Sequence, residues 1–110
     1  MEAANCWLQQ GQTANAIPIF ELGLVDWPNG QERDRGLCLS RLATAHAVAG
    51  DVEAASAVGQ QALTVIRTAH SARTLDQLRQ LRIQLAPSRT VGAVADLDDA
   101  FAEFMQTSAA

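Results

Sequence analysis

Between Gly36 and Ala69 the chain carries two successive stretches of helical hydrophobic period, separated by Gly50-Asp51. The first puts Leu39, Leu42, Ala43 and His46 on one face, and the second puts Val52, Ala55, Gly59, Ala62, Leu63 and Ile66 on one face. Apolar residues spaced in this way follow the turn of a helix buried along one side. Glycine reaches the left-handed conformation that closes a helix, and an aspartate after it caps the next one by accepting from backbone N–H groups. Gly50-Asp51 therefore predicts a helix hairpin. Alanine at 43, 55 and 62 lets the two axes approach at the short end of the usual ~8–10 Å range.

The rest of the composition agrees. The chain has 110 residues, 21 of them alanine, no tyrosine and few aromatics, which argues against a β fold and for close-packed helices. That length allows one compact domain or a short solenoid with a modest core. No apolar run reaches the ~18 residues of a membrane span and no secretory signal is present, so a soluble, cytoplasmic protein with no membrane contact is expected. A net charge of −4, from eight basic and twelve acidic residues, lacks the positive footprint of a nucleic-acid binder. All eight basic residues are arginine. A GC-rich genome accounts for that, and so does planar recognition of carboxylates or phosphates.

Six helices are predicted. The first spans about Glu2 to Gln10 and the second runs from Thr13 or Asn15 to Leu24, with Pro18 in or just after its first turn. Trp27-Pro28 closes that unit, because a residue before proline is pushed out of the helical region. The third helix starts within Gln31 to Asp34, and the fourth ends near Ala69. Ser71 caps a fifth that carries Leu75, Leu78, Leu81, Ile83 and Leu85 and stops at Pro87. The sixth, from about Thr90 to Met105, sets Val94, Leu97, Phe101 and Phe104 against an acidic face of Asp96, Asp98, Asp99 and Glu103. Residues 107–110 are expected to be a disordered tail. Arg73, Arg79, Arg82 and Arg89 are expected to form salt bridges with the sixth helix.

The pattern Leu39, Leu42, Ala43, His46, Gly50, Ala55, Gly59 and Ala62 resembles the tetratricopeptide repeat, a helix-turn-helix unit of about 34 residues. A second copy reads Ala4, Trp7, Gly11, Ala16, Phe20, Gly23 and Pro28. His46 and Gly59 depart from the family, which usually places an aromatic and a large side chain there. The resemblance implies an all-α fold of three antiparallel helix pairs, in units of about 1–28, 32–69 and 71–105. These would stack within residues 1–106 as a short right-handed superhelix. The run Glu32-Arg33-Asp34-Arg35 through Ala62-Leu63, with Ser71-Ala72-Arg73 and Leu85-Ala86-Pro87, looks like the C-terminal repeat region of bacterial helix-turn-helix transcriptional regulators. That implies a regulatory setting with no direct nucleic-acid contact by this chain.

No catalytic constellation is present: no nucleophile elbow, no phosphate loop, no paired histidines. Cys6 and Cys38 have no metal-ligand spacing and read as free, partly buried small residues. No enzyme activity, metal or cofactor is expected. What the repeat resemblance implies instead is a concave face that binds a protein or peptide. Its lining would be Asn5, Leu8 and Gln9 from the first unit, and Leu37, Ser40, Arg41, Thr44 and Val48 from the second. The third would add Thr74, Leu78, Leu81 and Arg82, with Arg41 or Arg82 suited to a carboxylate. Two alternatives stand beside it: a homodimer through the N-terminal helix, where Trp7 and Leu8 would be covered by a second copy, and a small-molecule pocket between helices.

Overall fold

Gly50 takes φ +90° at the end of one helix, and the Asp51 carboxylate accepts from the Ala54 N–H at 3.1 Å to start the next. The predicted hairpin is thus present in the computed structural model, which describes residues 13–25, 27 and 30–109. Its helices are α1 (Thr13–Leu24), α2 (Glu32–Val48), α3 (Val52–Thr68), α4 (Ala72–Leu85) and α5 (Gly92–Ala109), with a 3-10 turn at Ala86–Ser88 between the last two. Among the described residues there is no strand. The predicted helix over Glu2 to Gln10 lies outside the described residues.

The boundaries on either side of α3 and α4 that carry capping residues fall where those residues place them. The Ser71 hydroxyl accepts from the Thr74 N–H at 3.3 Å, and Pro87 turns the end of α4 into the 3-10 turn. Pro18 sits on the exposed side of α1, soon after its first turn. One boundary differs. α5 runs on to Ala109, so residues 107–109, expected as tail, are helical. The stretch after Phe104 holds neither glycine nor proline, and the Thr107 hydroxyl donates to the Glu103 carbonyl at 3.0 Å.

The α2/α3 hairpin is the centre of the molecule. α2 packs against α1, α3 and α4, while α3 packs against α2, α4 and α5. Ala43, Ala55 and Ala62 are fully buried in the main core with Leu63, Ile66, Leu78, Leu81, Leu97 and Phe101. A smaller core joins α1 to α2 through Ala16, Phe20, Cys38, Leu42 and Ala45. The whole is compact: its radius of gyration is 13.1 Å and its extents are 38 × 35 × 19 Å. The short dimension corresponds to about two helix diameters.

Gly59, one of the two residues that depart from the repeat pattern, marks where three helices meet. A Cβ there would lie 2.9 Å from Leu81 Cδ2 of α4 and 3.1 Å from Leu97 Cδ2 of α5. The missing side chain lets two leucines plug the same spot on α3. In consequence α5 docks on α3, and α4 on α2, more closely than α4 and α5 approach each other. A polar link between those two is Arg82, whose Nε donates to Asp98 Oδ1 at 3.0 Å while its guanidinium lies 4.5 Å from the centre of the Phe101 ring. Of the four arginines expected to pair with the last helix, only this one does so among the described residues. Arg79 pairs within α4 with Asp76, at 3.0 Å.

Candidate partner-binding surface

Along α2, Leu37, Arg41, Thr44 and Val48 recur at alternating steps of four and three residues and share one stripe. The first three are half-buried and Val48 is exposed, so this stripe is the side of α2 that faces outward. Ser40 is not on it. Ser40 is fully buried, and its hydroxyl donates to the Leu37 carbonyl at 2.7 Å. Thr44 likewise donates to the Ser40 carbonyl, at 2.9 Å. Both hydroxyl protons are spent on their own helix.

On α4 the expected lining faces the wrong way. Thr74, Leu78 and Leu81 are core residues, on one buried stripe with Leu85. Exposed positions of α4 include Arg73, Asp76, Arg79 and Gln80, so Thr74, Leu78 and Leu81 lie on its buried side and not in a groove. The physical reason is the hydrophobic face itself: three leucines at helical spacing must go inside, and Thr74 precedes them in register. Arg82 stands at the edge, held by Asp98 and Phe101. Asn5, Leu8 and Gln9 lie outside the described residues.

At the N-terminal end of the α2 stripe is a hollow of about 310 Å³. Trp27 and Gln31 line it from the link before α2, Asp34, Leu37, Cys38 and Arg41 from α2, and Arg73 from the first turn of α4. The indole N–H of Trp27 donates to the Gln31 carbonyl at 2.9 Å, which fixes the ring at the rim. Two arginines against one aspartate make the hollow cationic in a chain that is acidic as a whole. Neither arginine has an ion-pair partner among the described residues; the nearby Arg35 is the one that pairs with Glu32, at 3.5 Å. Arg41 Nε is buried and finds no acceptor among the described residues. A buried donor left in that state costs about 1–3 kcal/mol, and more when it is charged.

The wall residue Cys38 does not add a nucleophile. It is buried, with its Sγ 4.0 Å from the Phe20 carbonyl, and burial pushes its thiol up to about 11. A thiol so placed stays protonated at neutral pH, and the thiolate is the reactive form. His46 sits half-buried in the last turn of α2 and His70 is exposed in the α3–α4 link. Among the described residues no three histidine, cysteine, aspartate or glutamate side chains group as metal ligands, and no helix is long and apolar enough to cross a membrane.

Of the lining residues, Leu37 and Arg41 are the two expected in the groove, while Trp27, Gln31, Asp34, Cys38 and Arg73 were assigned elsewhere. Trp27 was legible only as the closing residue of a unit, and Arg73 only as a neighbour of the acidic last helix. No family model, no curated protein and no solved structure matches this chain.

Proposed function

We propose that this chain is a non-catalytic module that binds a protein or peptide partner across the outward stripe of α2 and the hollow at its end. The observation that carries the reading is the stripe itself. Leu37, Arg41, Thr44 and Val48 form a continuous half-exposed strip on the central helix, and it leads into a concavity with an aromatic wall. Sites on a rigid central element, with apolar and polar groups interleaved, suit an extended or helical peptide. Stacking of the helix pairs in the right-handed tetratricopeptide manner, a cytoplasmic location and a bacterial regulatory setting belong to the same proposal, and rest on the repeat-like residues alone. The test is affinity capture with the double variant Arg41→Glu and Thr44→Trp. A partner held by the wild-type chain is lost by the variant; a partner retained unchanged removes the assignment of this surface.

A second reading, self-association, has its own observation. Leu22 and Val25, close together at the end of α1, are 76% and 62% exposed. A second copy covering them would give a dimer, which sedimentation at micromolar concentration resolves and Leu22→Asp abolishes. A strict monomer rules it out.

A further inference from the structure

We infer that the hollow between the start of α2 and the start of α4 is an anion subsite, and that it takes an acidic or phosphorylated side chain of the bound peptide. This rests on the proposed docking reading and names the chemistry of its anchor. Three observations meet there. Arg41 and Arg73 line one concavity from two different helices. Neither is neutralised by an ion pair among the described residues, although twelve acidic residues are available in the chain. The Arg41 Nε is withdrawn from solvent without an acceptor.

Arginine is suited to this task because its planar fork binds carboxylate or phosphate oxygens in pairs, and partial burial strengthens each charge-assisted bond. Asp34 also lines the hollow. It leaves the local charge at one net positive, so a single anionic group is the matching load. Leu37 and the Trp27 ring supply apolar wall beside the charge, where the stem of a glutamate or phosphoserine residue would lie. A carbonyl of a neutral peptide could accept from either guanidinium, but only an anionic group also offsets the charge that Asp34 leaves over.

The experiment is selection of a random peptide library on the full chain, followed by anisotropy titration of the best synthetic peptide. Selected peptides are expected to share an Asp or Glu position. Changing that residue to Gln or Asn, or changing Arg41→Gln or Arg73→Gln in the protein, weakens binding about tenfold or more, and added salt weakens it further. Arg73 is exposed, so its variant keeps the test valid if the Arg41 variant fails to fold. Replacing the acidic residue with phosphoserine separates the two sources: tighter binding assigns a phosphorylated partner and weaker binding a simple carboxylate, and either supports the subsite. Peptides without a shared acidic position, or affinities unmoved by both arginine variants, overturn the anion subsite and leave the docking reading standing. Recovery of no binding peptide overturns both.

Discussion

At Gly59 the absence of a side chain is what joins three helices. Leu81 and Leu97, the neighbours a new Cβ would strike, are 0% and 1% exposed, so neither can swing aside. Gly59→Val therefore destabilises the fold by about 1–3 kcal/mol through overpacking, although glycine is itself a poor helix former. Urea denaturation checks it, and an unchanged midpoint would show that the core is looser than its geometry. Cys38 gives a second residue-scale prediction. Its folded-state thiol titrates near 11, against a reference value of 9.0. The unfolded chain therefore loses that proton first as pH rises, and stability present below about pH 9 falls toward pH 11. The loss is about 2–3 kcal/mol. The chain has neither tyrosine nor lysine, so little else titrates in that window. In a Cys6→Ser background the decline is expected, and Cys38→Ala flattens it; equal slopes would place the cause elsewhere. The glycine was visible in the sequence as a departure from the repeat pattern, but what it accommodates was not. Leu81 and Leu97 come from helices whose placement no local pattern specifies.

Helix boundaries were the most legible part of the chain, because capping is local chemistry. Asp51 and Ser71 each accept from the backbone N–H three residues on, as Ser and Asp before a hydrophobic run imply. Asp51→Ala removes that bond, leaving an orphan N–H at the turn of the central hairpin, and is expected to lower stability by about 0.5–2 kcal/mol. Asp51→Asn, which keeps the acceptor, recovers most of it. If the two variants melt alike, the cap is not what holds the turn. Faces were less legible than ends. On α2, Leu37, Arg41 and Thr44 are half-exposed and Val48 exposed, while Ser40, expected beside them, is buried. On α4 the same reasoning points to Thr74 and Leu78, which are buried, while Arg73, Asp76 and Arg79 are exposed. A small polar residue such as threonine fits either side of a helix, so its type does not report its direction. Thr74 lies near Gly36 of α2, its Cγ2 3.6 Å from where a Cβ would stand there, and that is information only the assembled fold contains.

Over the whole molecule the two cores are distinct sets of buried residues that share α2 and meet at partly buried side chains. The larger is built from α2, α3, α4 and α5, and the smaller ties α1 to α2 through Phe20 and Cys38, with Val58 and Leu24 touching both. Because α1 makes its main contact with α2, its stability is set by the small core, while α5 depends on the large one. Phe20→Ala removes a fully buried aromatic ring, a change that usually costs about 3–5 kcal/mol. The loss is expected to be local. In native-state hydrogen exchange the α1 amides of this variant should lose protection while those of α3 and α5 keep most of theirs, since regions with independent packing open independently. Ile66→Ala, in the large core, should instead reduce protection in α2 through α5 together. If Phe20→Ala exposes α5 as much as α1, Val58 and Leu24 couple the cores into one cooperative unit. The α2 surface, which lies between them, would then respond to changes at either end of the chain.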